Sequence, residues 1–322
     1  MPAWMAVVGK LLRAIAGRAG RDSEVGERQL PVGMDGERQL LPAQRERALM
    51  PSHLTSPWNY AVSYLDMLYR DQTLGSGSGF FWKLDDRTFL ISNWHNFSGL
   101  NAETGLAILS TAGRPDRITF TSYKQTSESD GDGFFEMSVV RVTVPLYDSD
   151  LSGPRWLHHP TFGRKVDIAA IDVSKAVTGL KVNHVNVVES DAVLQPLVSQ
   201  DVFIVGYPLG LITGAPSPVW KRGTIATDPT FDPDGLPKMY VDSATREGMS
   251  GSVVVAKHIV LGQKITKKDG TETGPFLYAV RDVVLGIYSG RLGADLEKAQ
   301  LGIVWKRSAI EETVNGNSVA SV

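Results

Sequence analysis

From about residue 58 onward the chain is broken into short runs of β-branched and aromatic residues, each closed within a few positions by Gly, Pro, Asp or Asn. The clearest runs lie at residues 79–82, 88–92, 117–121, 137–144, 166–173, 202–205, 238–241, 252–256 and 283–289. Runs of this length suit strands and are too short for stable helices. Their close spacing predicts an all-β sandwich or barrel system. Strands do not alternate regularly with long helical segments, which argues against a doubly wound α/β fold. One segment reads differently: residues 60–69 (YAVSYLDMLY) predict a lead-in helix.

The first 50 or so residues have another texture. Gly26-Glu-Arg-Gln-Leu30 returns as Gly36-Glu-Arg-Gln-Leu40, and Pro31 and Pro42 would interrupt any helix. Two copies are too few for a solenoid, and the composition predicts a flexible or weakly helical arm. Residues 4–16 are apolar but carry Lys10 and Arg13. A secretory signal has its charge first and an unbroken apolar stretch after it, so this segment reads as a short amphipathic helix. The expected layout is an arm at 1–57, a globular domain at 58–310 divided near 175–195, and a frayed tail at 311–322.

Charge and cysteine content narrow the function. The 322 residues are enough to bury a real core, and the formal net charge of −2 gives no footprint for nucleic acid or an anionic membrane surface. The apolar runs fall short of the ~20 residues needed to cross a bilayer. With no cysteine in the chain, a disulfide framework, a thiolate metal site and a cysteine nucleophile are all excluded. The same absence favours a reducing compartment. Cytoplasm is therefore the expected location, with export as the alternative.

Three local patterns carry chemistry. In Leu90-Ile-Ser-Asn-Trp-His95 a histidine follows an apolar strand, where a rigid element can aim it into a cleft as a general base. In Val166-Asp167-Ile-Ala-Ala-Ile-Asp172-Val an aspartate opens a buried-looking strand, placed to orient an imidazole. Asp172 competes for that role, but five residues on it has the opposite parity and points to the other face. In Glu247-Gly-Met-Ser250-Gly-Ser252 the glycines allow a tight turn, in which the N–H groups of Gly248 and Ser250 hold an oxyanion while the Ser250 hydroxyl attacks. Taken singly, each pattern is also an ordinary core histidine, strand-end aspartate or Gly/Ser turn. The order His, Asp, Ser in a β-rich chain is what makes the set specific. An α/β-type hydrolase would run Ser, acid, His, with Gly two residues past the nucleophile, and here that position is Ser252.

Residues from about 75 to 292 resemble the bacterial trypsin-like serine peptidases related to the high-temperature-requirement proteases. The matching stretches are Gly77-Ser-Gly-Phe80, Ser92-Asn-Trp-His95, Asp167-Ile-Ala-Ala-Ile, Val205-Gly-Tyr-Pro208, Lys221-Arg-Gly-Thr-Ile225, Gly248-Met-Ser-Gly-Ser252 and Leu285-Gly-Ile287. The resemblance implies two six-stranded antiparallel β-barrels of the chymotrypsin-like kind with a cleft between them. It carries the triad roles onto His95, Asp167 and Ser250, and the oxyanion hole onto Gly248, Met249 and Ser250. It also implies a primary pocket with Ala244 at its floor, Glu247 at its rim and Tyr288, Ser289 and Gly290 in its wall. Ala244 has no carboxylate to pair with Lys or Arg, so uncharged side chains are the expected preference. Met249 stands where digestive relatives have an aspartate that pairs with a new N-terminus. Packing of the thioether against the second barrel is expected to order the loop instead. The expected departures from the pattern are the lack of a C-terminal peptide-binding domain and the long segment from 100 to 160.

Other features are set aside. Gly75-Ser-Gly-Ser-Gly79 lacks the Gly-Lys-Ser/Thr ending of a nucleotide loop. Adjacent histidines such as His158 and His159 point opposite ways in extended chain and have no further ligand at metal-site spacing. No metal and no cofactor is expected, and the expected partner is a protein or peptide substrate. A catalytically silent peptide-binding module on the same scaffold and an esterase are the alternatives.

Overall fold

A computed structural model describes residues 47–51, 56–111, 113–126, 134–148, 153–191, 195–210, 217–244, 247–276, 279–292 and 301–321. The first 46 residues of the expected arm, with the repeat and the 4–16 segment, lie outside the described residues. So do residues 127–133, part of the long segment from 100 to 160. No helix among the described residues is long and apolar enough to cross a membrane.

The short runs form strands throughout. The first half contains β1 (Arg47–Pro51), β2 (Val62–Tyr69), β3 (Gln72–Leu84), β4 (Arg87–Ser92), β5 (Arg117–Gln125), β6 (Phe134–Pro145), β7 (Trp156–His158) and β8 (Ala169–Asp172). They make one sheet in the order β1-β6-β5-β2-β3-β4-β8-β7. The second half contains β9 (Asp201–Gly206), β10 (Val219–Ile225), β11 (Lys238–Asp242), β12 (Val253–Val260), β13 (Gln263–Thr266), β14 (Glu272–Phe276), β15 (Ala279–Arg291) and β16 (Leu301–Lys306). Six of these close an antiparallel barrel in the order β10-β11-β16-β15-β12-β9, and β13 and β14 form a separate hairpin. Short helices α1 (Trp94–Ser98) and α2 (Val185–Val188) and the longer α3 (Arg307–Gly316) complete the chain.

The all-β expectation is met, and one half is the closed six-stranded barrel. The other half is larger than the expected six strands and stays open. A seam between β6 and β8 would close it, but β1 pairs along β6 from Arg47↔Ser138 to Pro51↔Phe134. On the other side β7 pairs with β8 at Trp156↔Ile171 and Leu157↔Ala170. Both edges are thus occupied.

Three local expectations are corrected. Residues 60–69 are mostly strand β2, not a helix. The segment is hydrogen-bonded on both edges, to β3 and to β5, and ladder pairing with burial of Val62, Leu65 and Met67 outweighs helical spacing. Residues 47–51, assigned to the arm, form β1. The expected frayed tail is ordered through its described residues, 311–321: α3 runs to Gly316 and buries Ala309, Ile310, Thr313 and Val314 along one face. Beyond it, the Ala320 N–H donates to the Trp156 carbonyl at 2.9 Å and the His158 N–H to the Ser318 carbonyl at 3.0 Å. The chain end thereby lengthens the sheet past β7.

The largest apolar cluster lies between the halves. It joins Trp58, Phe80, Val166 and Ile168 of the first to Val205, Tyr207, Val253, Ile287 and Trp305 of the second, with Ile310 and Val314 of α3. A buried ionic network sits at the same junction. The Glu189 carboxylate, with its side chain 1% exposed, accepts from Lys268 Nζ at 2.7 Å and Arg307 Nη1 at 2.5 Å. Its second oxygen accepts the Val284 N–H at 3.0 Å. Removing Glu189 strands the buried Val284 N–H, while Lys268 reaches solvent and Arg307 keeps Glu311 at 2.7 Å. Glu189→Ala should therefore lower stability by roughly 1–3 kcal/mol, read as a lower urea midpoint at unchanged slope. An unchanged midpoint would show that the network contributes nothing net.

Candidate functional site

His95 is aimed by a five-residue helix. Trp94 and Phe97, three apart on α1, pack edge-on against Trp156 with ring centroids 6.1 and 5.8 Å away. That anchored face leaves His95 on the other side, half-buried. Gly99 ends the helix in the left-handed region at φ 71°, and its N–H bonds the His95 carbonyl at 3.0 Å.

Asp167 meets this histidine directly. It lies two residues ahead of β8, and its neighbours Val166 and Ile168 are fully buried in the junction between the halves. With both neighbours fixed, the carboxylate is held toward α1. One oxygen accepts the His95 backbone N–H at 2.9 Å, and the other accepts from His95 Nδ1 at 2.6 Å. The Ser289 hydroxyl donates to that second oxygen at 2.5 Å. A carboxylate only accepts, so Nδ1 carries the proton and Nε2 is left as an acceptor. Burial acts to raise the Asp167 pKa. The His95 charge and the bonds from His95 and Ser289 together outweigh it and hold the carboxyl below its ordinary value. Asn93 Nδ2 donates to the Asp167 carbonyl at 2.8 Å and ties the approach to α1 to the acid's own backbone.

Ser250 stands in a turn whose carbonyls are all engaged. The Glu247 carbonyl accepts the Leu209 N–H at 2.7 Å, and the Met249 carbonyl accepts the Ser252 N–H at 3.0 Å. Ser78 takes the other two: its hydroxyl donates to the Gly248 carbonyl at 2.8 Å and its N–H to the Ser250 carbonyl at 2.8 Å. A planar trans peptide sends its N–H opposite its C=O. Fixing the carbonyls of Glu247 and Met249 therefore turns the N–H groups of Gly248 and Ser250 the other way. Neither N–H has a backbone partner among the described residues. Gly248 and Gly251 sit at φ 84° and 85°. A Cβ on Gly248 would stand 2.6 Å from the Tyr207 carbonyl oxygen, and one on Gly251 would overlap the Ser78 carbonyl. Met249 is fully buried in the barrel core with Val254, Leu285 and Val304, as its side chain predicts.

The structure brings His95 and Asp167 into contact and Ser250 close by. Asn96, the residue after His95, extends its Nδ2 to the Ser250 carbonyl at 3.4 Å and to the Ser92 hydroxyl at 3.0 Å. Among the described residues no hydrogen bond joins the Ser250 hydroxyl to the imidazole. A cleft of about 600 Å³ opens beside His95 and Asp167, between the two halves. Of the five residues expected to bind substrate, only Ser289 lines it. Ala244 and Glu247 are exposed in the segment leading to Ser250. The Tyr288 side chain lies in the barrel core and not in a pocket wall. It serves the site through its backbone, which accepts the Gly251 N–H at 2.9 Å. Gly290 pairs with Ile303 on β16.

Sequence reasoning missed Ser78, Asn96 and the Leu209 N–H as the clamps on the turn. Ser78 and Asn96 lie inside or beside the quoted motifs, but their partners are about 170 and 154 residues away. No local pattern encodes such a contact.

No protein-family model and no curated protein matches the chain. Among solved structures it is similar to the serine endoprotease from Yersinia pestis, at 12% identity and a TM-score of 0.42 over 80% of this chain and 62% of that one. It is similar to the HtrA-type protease AlgW with a tripeptide, at 13% identity and 0.37 over 80% and 60%. It is also similar to Rv3671c from Mycobacterium tuberculosis, at 13% identity and 0.33 over 84% and 94%. The chain thus spans about three fifths of the first two structures' length and nearly all of the third.

Proposed function

We propose that the chain is a serine endopeptidase using His95, Asp167 and Ser250. The observation that carries this reading is the Asp167 carboxylate, buried and bonded by Nδ1 of His95, the His95 N–H and the Ser289 hydroxyl. Such a carboxylate orients the imidazole and stabilises it once charged. In the reaction, Nε2 of His95 takes the proton of Ser250 as the Oγ adds to the scissile carbonyl. The N–H groups of Gly248 and Ser250 receive the developing oxyanion. The imidazolium then protonates the leaving amine, and water, deprotonated by the same Nε2, hydrolyses the acyl-enzyme and restores the hydroxyl.

Labelling with a fluorophosphonate probe tests the nucleophile: wild type should label and Ser250→Ala should not. Digestion of a protein substrate then separates a peptidase from an esterase, since the acyl-transfer machinery is common to both. A protein that fails to label would be the silent peptide-binding module. The backbone around Ser289 supports an extended peptide as the substrate. The Leu292 N–H bonds the Leu301 carbonyl on β16, so by strand alternation the Arg291 N–H faces the other edge, which has no strand partner at this position among the described residues and suits an added strand.

Ser289 offers a graded check. A hydrogen bond to a charged group is worth about 1.5–3 kcal/mol. Ser289→Ala should slow labelling about tenfold, with Ser289→Thr retaining most of the rate. Equal rates for Ala and wild type would remove Ser289 from the acid's support.

A further inference from the structure

Resting on the proposed peptidase reading, we infer that the cleft beside His95 selects an acidic side chain in the substrate, within the few residues N-terminal to the scissile bond, and that Arg291 is the residue that reads it. The cleft is lined from the first half by residues including Glu103, Ile108 and Lys165, and from the barrel by Asp234, Leu236, Lys238, Arg291 and Trp305. Its formal charges balance, three Lys and Arg against three carboxylates, but they are not equally free. Asp234 is taken up by Lys238 at 2.7 Å, and Asp167 by His95 at 2.6 Å. Lys238 is further enclosed by the rings of Tyr240 and Trp305, its Nζ 5.9 and 6.0 Å from their centroids.

Two cations remain, Arg291 and Lys165, and neither has an ion-pair partner among the described residues. One carboxylate also remains, that of Glu103, and it is exposed at the rim. Lys165 is exposed as well, whereas Arg291 is half-buried. The rim charges stay hydrated when a peptide enters. The Arg291 guanidinium loses water under an added strand, because it springs from the strand segment whose open edge would receive that strand. Covering a cation without a partner is costly, and a carboxylate compensates it through paired N–H···O bonds. Lys165 adds to the same sign of field from the opposite wall. Side chains of Lys and Arg are disfavoured there for the same reason, and Gln, of nearly the shape of Glu, leaves the cation unmatched.

The test uses the full chain with Ser250→Ala, which separates recognition from turnover. Sets of fluorescent peptides that differ only in carrying Glu, Gln or Lys, placed in turn at each position of one uncharged extended sequence, are titrated by anisotropy. At one or more positions Glu should bind about tenfold more tightly than Gln, and 0.5 M salt should erase most of the difference. Arg291→Gln should abolish the discrimination. Arg291→Glu should reverse it in favour of Lys, a gain that a misfolded variant does not give. No Glu preference in the Ser250→Ala protein, or a preference that survives in Arg291→Gln, overturns the inference. Because binding is measured without catalysis, the result for Arg291 holds even if the wild-type chain hydrolyses nothing, which would refute only the peptidase reading.

Discussion

Ser250→Ala and His95→Ala should each lower peptide hydrolysis by roughly 10⁴-fold or more, and the double change should add little to either. The two groups act on one proton. Without the hydroxyl the imidazole has nothing to deprotonate, and without the imidazole the hydroxyl is a poor nucleophile near neutral pH. Residual activity over water would come from the N–H groups of Gly248 and Ser250, whose placement rests on the engaged carbonyls of Glu247 and Met249 and not on either side chain. The check is kcat/KM for wild type, both single variants and the double variant on one peptide. Losses that multiply would show independent roles and defeat the triad. So would an Ala variant that keeps a tenth of the activity.

The strand-rich character is legible because each strand announces itself within five to ten residues. Lys238–Asp242 and Val253–Val260 are strands at or near the positions their β-branched content predicts. Segment 60–69 misleads for the opposite reason. Its apolar residues fit a helical stripe as well as a strand with both edges paired, and only the partners β3 and β5 decide between them. The C-terminal helix is obscured because its buried face is built from Ala309, Ile310, Thr313 and Val314, small or short side chains between Arg307, Glu311 and Glu312. That stripe spans only ten residues, follows β16 directly and has no side-chain cap at Lys306, and what stabilises it is the junction it covers.

The candidate site divides along the same line. His95, Asp167 and Ser250 each sit in a short motif, so sequence order can nominate them. The residues that hold them come from far along the chain. Ser78 clamps Gly248 and Ser250 from β3, Ser289 supports Asp167 from β15, and Tyr288 secures Gly251 through its backbone. None of these follows from spacing. The pocket wall expected at Tyr288 fails for a related reason. Strand parity turns that ring into the barrel, where a Cβ on Gly302 would collide with it, and leaves Ser289 and Arg291 to face the cleft.

Asp167→Asn should reduce turnover about 10⁴-fold while Asp172→Asn leaves it within a factor of about two. Asp167 presents two acceptor oxygens, to the His95 N–H and to Nδ1. An amide can keep the first bond, but its NH₂ then faces Nδ1. The imidazole answers by moving its proton to Nε2, and that nitrogen can no longer receive the proton of Ser250. Asp172 has no such duty. It is exposed, five residues further along, and its carboxylate accepts the Ser174 N–H at 2.9 Å and the Ser174 hydroxyl at 2.6 Å in a local turn that an amide oxygen can serve as well. Stability adds a second readout with a definite sign. The Asp167 carboxyl titrates below its ordinary value in the folded protein. It therefore contributes stability that is present above the unfolded-state pKa of about 4 and is lost as pH falls through the lower folded value. Asp167→Asn should flatten that acid-side fall in unfolding midpoint, and Asp172→Asn should leave it in place. Activity lost in Asp172→Asn and kept in Asp167→Asn would reassign the acid to the other face of β8.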